Sequence, residues 1–378
     1  YVSNKDGLSR LNAQTHQAYW QRSLADIAKI VPGGSIVYVL QSSQSTGGTN
    51  AVVALNAYTG KTLWTHPFSV QGHGRNTIAQ TTDLVFAQNQ LYVGWQTWGT
   101  ANTGMGQVFI LNASDGSQRA VYPTTAATWA LAAGDGVLAV SADSSLQVYD
   151  PTSGKSLWQV SIKGPTNGPV ISLSIVNNLV YALISTNNDV SGVGQSYIAA
   201  YKADSGDLVW KSPVFPGDAL LRFAVNQNIV YFGTGHLTTQ QRNWTGNVYA
   251  YDIQSNKQLW SQPVNGAVQS TPVISNGVVY VAADNDTQGH ARIIALSAAT
   301  GAIEWQQPLA NGFADTFCVS NGIVYAANPS YSPNAPAPDG VYALNAANGS
   351  TLWEDKQGSS APQSPQGPEP AIHVAPTE

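Results

Sequence analysis

AVVALNAYTGKTLW, residues 51–64, joins a run of small and β-branched residues to a T-G turn and then to a lone tryptophan. Strand, tight turn and second strand account for it as a hairpin. The same arrangement recurs along the chain, which makes it a module. Eight copies follow one another on an apolar anchor: Leu11, Leu55, Leu111, Tyr149, Tyr201, Tyr251, Leu296 and Leu344. Nine residues beyond each anchor stand Trp20, Trp64, Ala120, Trp158, Trp210, Trp260, Trp305 and Trp353, so seven of the eleven tryptophans share one register and the third copy lacks its ring. Five residues beyond each anchor stand His16, Gly60, Gly116, Gly154, Gly206, Asn256, Gly301 and Gly349. Glycine enters positive φ freely, and Asn and His are among the residues enriched there, so both exceptions keep one backbone geometry.

Each copy carries more than the hairpin. TPVISNGVVYVAAD, residues 271–284, reads as an apolar run, a two-residue turn at Asn276-Gly277 and an alternating strand. SIVNNLVYALIS (174–185), AVNQNIVYFGT (224–234) and CVSNGIVYAAN (318–328) repeat the pattern. A repeat is therefore four antiparallel strands, A to D, with 38 to 56 residues between successive tryptophan positions. That period matches a β-propeller blade. The expected fold is all-β, an eight-bladed propeller over residues 1–356. Tyr1 to Asn4 reads as strand B of the first blade, so the copy lacks a strand A on its N-terminal side. Residues 357–368 read as a Pro/Ser/Gly-rich linker, and in 369–378 the segment 370–374 resembles Pro272–Ser275. The expectation is that this segment pairs with residues 1–4 and closes the ring, removing the open edges of a linear array.

The motif A-L-N-A-x-T-G-x-x-L-W, best kept at 54–64 and 343–353 and varied at 295–305, resembles the repeat of the quinoprotein-type, PQQ-like β-propeller family along almost the whole chain. The resemblance implies that Trp20, Trp64, Trp158, Trp210, Trp260, Trp305 and Trp353 are structural docking residues, stacked between their own blade and the next over a small alanine. It implies that at Ala120 other side chains fill the contact or leave it weaker. It also implies several functions, since some members are alcohol or sugar dehydrogenases with pyrroloquinoline quinone and calcium, others are BamB-like scaffolds without cofactor, and others are sensory or adhesive ectodomains. Fold alone does not choose among them.

Composition narrows the choice. Charged residues make up 10% of the chain, against roughly 25% in an average soluble protein. Ser, Thr, Asn, Gln and Gly carry the surface instead, a composition commoner outside the cytoplasm, so the expected location is extracytoplasmic. The net charge is −5 and no run of Lys or Arg occurs, which argues against nucleic acid as a partner. No segment approaches the roughly 18 apolar residues of a membrane span, and the expected state is a monomer. The sequence begins inside a strand, so a targeting segment has room to precede Tyr1. The single cysteine, Cys318, forms neither a disulfide framework nor a cysteine-rich zinc site. Alcohol-type quinoproteins set two adjacent cysteines over the cofactor, and one cysteine cannot supply them.

Loop lengths indicate the functional face. A–B turns are short, whereas the B–C connections 41–50, 96–106, 185–195, 234–246, 283–291 and 328–340 are long. Long irregular loops on a rigid scaffold are where binding resides. Trp95, Trp98, Trp244 and Tyr331 lie in or beside them, and His73, Arg75, Asp218, Arg222 and Asp315 lie on the D–A connections that feed the innermost strands. These nine are the candidate ligand and partner residues. Asp284-Asn285-Asp286 reads as a turn rather than a calcium loop, because it lacks the glycine and terminal glutamate of one. The six histidines show no zinc spacing, and no nucleophile elbow or phosphate loop occurs. The sequence thus points to a non-catalytic module that docks a protein, peptide or glycan on the long-loop face, with no catalytic residue, cofactor or metal of its own. PQQ and calcium belong to the competing reading of a quinoprotein oxidoreductase. A second rival is the sensor ectodomain of a membrane-anchored receptor or kinase.

Overall fold

The turn chemistry sets the fold residue by residue. At anchor plus five, φ is 49° at His16, 52° at Asn256 and between 68° and 74° at the six glycines. One residue after the anchor, an Asn or Asp side chain folds back on the loop: Asn56 Oδ1 accepts from the N–H of Tyr58 at 3.0 Å and of Thr59 at 2.9 Å. Asn12, Asp150, Asp252 and Asn345 accept in the same way. Such turns are intrinsic to Asx side chains. The A–B turns are of another kind. Asn177-Asn178, Asp135-Gly136, Asn276-Gly277 and Asn321-Gly322 place two successive residues at positive φ, the demand of a type I′ hairpin.

The computed structural model describes residues 1–4, 7–43, 50–68, 78–98, 105–124, 126, 128–142, 144–162, 170–185, 195–216, 222–238, 243–284, 290–311, 314, 316–328 and 339–357. These residues hold no helix and form eight antiparallel sheets, the eight blades of a β-propeller. The second blade shows the plan: Ile27–Gly33, Ile36–Gln41, Ala51–Asn56 and Thr62–Pro67 pair in chain order. The first blade shows three strands, Val2–Asn4, Gly7–Leu11 and Ala18–Arg22. The segment expected to close the ring, 370–374, lies outside the described residues. In the sixth blade a short strand, His236–Thr238, pairs with Asn243–Thr245 and prolongs the B–C connection as a hairpin. The chain divides into two compact units, one holding Tyr1–Ile184 and Ile198–Val209, the other Ser185–Tyr197 and Trp210–Pro376. Within the first unit the A strands of blades two to five lie side by side, and within the second those of blades six to eight do.

Register explains the small residue of the motif. Tyr38 on strand B faces Ala54 on strand C, which faces Trp64 on strand D. Across that alanine the two rings meet at 6.0 Å. Tyr231 and Trp260 meet at 6.0 Å over Ala250, and Tyr280 and Trp305 at 5.9 Å over Ala295. The tyrosine is a repeat position of its own.

The rings also reach the following blade. The indole Nε1 of Trp20 donates to Ala57 O at 3.0 Å, that of Trp64 to Ala113 O at 3.2 Å, and that of Trp158 to Ala203 O at 2.8 Å. Trp260 and Trp305 donate to Ala298 O and Ala346 O, both at 2.9 Å. Each of these indoles lies on the turn glycine of the next copy, so closely that a Cβ at Gly60 would stand 2.7 Å from Trp20 Cδ2. Trp210 meets Asn256 instead, donating to its Oδ1 at 3.0 Å. In the third blade, where Ala120 replaces tryptophan, Tyr122 occupies the place. Its ring covers Gly154 and its hydroxyl donates to Pro151 O at 3.1 Å. Two residues along a strand is one side-chain period, so the ring stays on the same face.

Candidate functional site

The blades differ at their two ends. Toward the A–B and C–D turns, aromatic rings lie on the C–D turn glycines. Toward the B–C connections, the buried positions become polar: Gln41, Thr81, Thr97, Thr128, Ser141, Ser185, Thr234, Asp284 and Asn328 are all buried there. Buried polar groups persist only when hydrogen-bonded, and several of these reach from one blade to the next. Ser42 Oγ donates to Thr81 O at 2.7 Å, and Thr81 Oγ1 donates to Gln41 O at 3.0 Å. Thr128 Oγ1 donates to Trp95 O at 3.2 Å. In the second unit, Asn311 and Asn328 exchange amide hydrogen bonds at 3.1 Å, and Ala314 N–H donates to Asp284 Oδ1 at 2.8 Å. The long connections therefore spring from a fixed polar layer.

Asp83 organises the A strands of the first unit. Irregularities in register fall near the start of strand A in blades two to five, between Ile27 and Lys29, Thr81 and Asp83, Thr128 and Leu131, and Val170 and Ser172. Bulges re-aim side chains and free backbone N–H groups. Asp83 answers both effects: Oδ1 meets Lys29 Nζ at 2.5 Å and the N–H of Leu84 at 2.8 Å, while Oδ2 accepts from Leu131 N–H at 2.9 Å. One carboxylate thus ties three successive blades. The bulge in blade four also turns Trp129 outward, with 44% of its surface exposed, while Ser141 Oγ accepts the N–H of Ala130 at 2.8 Å. Trp129 was not among the candidates read from the sequence. Its signal there was faint, since a tryptophan in an apolar strand reads as core.

The nine sequence candidates fare differently. Trp95 is corrected: it is 6% exposed, held against Phe68 at 5.7 Å and Phe109 at 6.2 Å, so it is packing and not an anchor. Phe68 arrives from the preceding blade, which is why the burial was not visible locally. Trp244 is half-buried beside Gly235 on the extended hairpin of blade six, and Arg222 is exposed just before strand A of that blade. Trp98 ends the strand Gln90–Trp98 with its side chain outside the described set. His73, Arg75, Asp218, Asp315 and Tyr331 lie outside the described residues.

A quinone with its calcium would need several converging oxygen donors. Asp83 spends its oxygens on Lys29 and two backbone N–H groups, and Asp284 is buried and accepts from Ala314. Among the described residues no three His, Cys, Asp or Glu side chains gather as a metal site. No helix of the described residues is long and apolar enough to cross a membrane.

Comparison with known proteins places the chain. It is 25% identical over 292 residues to polyvinylalcohol dehydrogenase of a Pseudomonas species, covering 67% of this chain and 42% of that one. It is 24% identical over 262 residues to tetrathionate hydrolase of Acidithiobacillus ferrooxidans, covering 61% and 45%. The chain thus spans less than half the length of these relatives. Among solved structures, the computationally designed Ika8 protein superposes with a TM-score of 0.62 at 16% identity, covering 88% of this chain and 87% of that one. BamB from Moraxella catarrhalis superposes with a TM-score of 0.54 at 17% identity, covering 83% and 86%. Quinohemoprotein alcohol dehydrogenase ADHIIG from Pseudomonas putida HK5 gives 0.56 at 13% identity, covering 88% and 67%. These likenesses show the fold. The family model described as outer membrane protein assembly factor BamB matches residues 4–195, 194–290 and 286–376, and the chain belongs to that PQQ-like repeat family.

Proposed function

We propose that the chain is an extracytoplasmic, non-catalytic scaffold that docks a protein, peptide or glycan at its long-loop end. The observation that carries this reading is the difference between the blade ends: aromatic rings cover one, and a rigid layer of hydrogen-bonded polar groups supports the long connections at the other. Trp129, exposed on that layer, Trp98 and Trp244 are the apolar anchors of the reading, and Arg75 and Arg222 its polar ones. Tryptophan and arginine are the residues that dominate binding hot spots. The family description, an outer-membrane assembly factor, supports both the scaffold role and the location. We read the ring tryptophans as the fasteners that keep this end rigid.

The competing reading is a quinoprotein oxidoreductase, favoured by the likeness to a dehydrogenase. One experiment separates them. The protein is screened on glycan and peptide arrays alongside its Trp129→Ala form, and incubated with PQQ, calcium and alcohols while an artificial electron acceptor is followed. Saturable binding that falls about tenfold in the Trp129→Ala form, with no dye reduction, supports the scaffold. Turnover that depends on PQQ refutes it.

A further inference from the structure

The repeat is its own control, because a position that departs from seven sibling copies departs for a local reason. Immediately before the anchor the other copies carry alanine, valine or isoleucine, and the first carries Arg10. Tyr58 stands where the siblings hold Gln, Ser, Thr, Asp or Ala, and Tyr19 where most hold Leu or Val. These three departures converge. The guanidinium carbon of Arg10 lies 4.9 Å from the centroid of Tyr19 and 5.3 Å from that of Tyr58. Both rings remain open to solvent, 58% and 65% exposed. Arg10 Nη1 donates to Ala57 O at 3.1 Å, and Asn12 Nδ2 donates to the Tyr19 phenol oxygen at 2.6 Å. The cluster is therefore held in place without being covered.

Charge is segregated in the same way. Residues 10–22 and 54–67 contain Arg10, Arg22 and Lys61 and neither Asp nor Glu, whereas the C–D turns of the next four copies carry Asp115, Asp150, Asp204, Asp207 and Asp252. Arg22 joins the seam by donating to Thr62 Oγ1 at 3.2 Å. A basic, doubly aromatic patch thus interrupts a chain of net charge −5. A guanidinium fixed over two rings loses little freedom when its remaining N–H groups meet a carboxylate. Tyr and Arg are also the residues enriched at binding hot spots.

We propose that this seam of blades one and two, at the ring-covered end, docks an acidic peptide segment of a partner protein, which sets a carboxylate on Arg10 and an apolar or aromatic side chain on Tyr58. It lies at the opposite end from the long-loop surface, so the two readings stand or fall separately. The probe is a fluorescein-labelled peptide alternating Glu and Tyr, followed by fluorescence anisotropy, with the Lys and Tyr peptide as control. The acidic peptide binds saturably and the basic one does not. Tyr58→Ala weakens binding about tenfold and Arg10→Lys at least about fivefold, because the ammonium lacks the planar fork. Leu259→Ala, an exposed substitution at the sibling position of Tyr19 in blade six, leaves binding unchanged. Tyr58 is largely exposed, so its variant stays folded, and far-UV circular dichroism verifies this. Absence of saturable binding, equal binding of the basic peptide, or indifference to Tyr58→Ala in folded protein overturns the proposal.

Discussion

Blade seven holds two glycines with nearly the same backbone and different surroundings, which allows strain and contact to be measured separately. Gly277 in the A–B turn has φ 79° and a Cβ there would meet nothing within 4 Å. Gly301 in the C–D turn has φ 74°, and a Cβ there would stand 2.6 Å from both Cδ2 and Cε3 of Trp260. Gly277→Ala should therefore cost only the left-handed penalty of an L-residue, about 1–2 kcal/mol. Gly301→Ala pays the same penalty and must also move the indole. That movement strains or breaks the 2.9 Å bond from Trp260 Nε1 to Ala298 O, about 1 kcal/mol, and repacks the seam, about 1–3 kcal/mol. The expected total is about 3–6 kcal/mol. Once Trp260 is replaced by alanine the obstacle is gone, so in that background Gly301→Ala should cost about 1–2 kcal/mol. The coupling is then about 2 kcal/mol or more, read from guanidinium unfolding by far-UV circular dichroism in a double-mutant cycle. Equal costs for the two glycine substitutions, or a coupling below about 0.5 kcal/mol, would refute the claim that the ring bears on the next blade's turn.

Three further expectations follow the same logic. Tyr122→Phe should lose about 1 kcal/mol through the bond to Pro151 O, and Tyr122→Ala about 3–5 kcal/mol through the emptied seam, measured by denaturant midpoint. Asp83→Ala should cost more than Lys29→Ala, about 1–3 kcal/mol against about 0–1 kcal/mol, since only the former strands the N–H groups of Leu84 and Leu131; equal values would show that the ion pair alone matters. Burial pushes the Tyr181 phenol up from 10.0 to about 12, so the folded state holds that proton more tightly than the unfolded chain does. Its contribution is complete below pH 10 and is lost as pH rises toward 12, and Tyr181→Phe should flatten the fall in unfolding free energy across that window.

The repeat was legible because it is written in residues that the backbone itself selects. His16 and Asn256 substitute for glycine without loss of positive φ, so the turn could be recognised through its exceptions. The type I′ turn at Asn276-Gly277 was equally plain. What escaped the sequence depends on neighbours distant along the chain. Trp95 looked like an exposed loop residue until Phe68 met it from another blade. Tyr122 could not be identified as the ring of blade three, because the shift from Ala120 makes sense only when strand period and the position of Gly154 are known together. Trp129 hid within an apolar strand because a bulge reverses its direction, and bulges leave little trace in composition. Asp83 was a lone acid in the sequence, and its reach across three blades comes from where the A strands lie.

The division of each blade into a ring-covered end and a polar end has an evolutionary consequence. Insertions in a B–C connection begin beyond the last hydrogen bond of the polar layer and leave the aromatic contacts at the far end untouched. Length, sequence and specificity can then drift at one end while the couplings that determine stability are conserved at the other. A lineage built from such units can acquire new partners one loop at a time, each trial carrying little risk to folding.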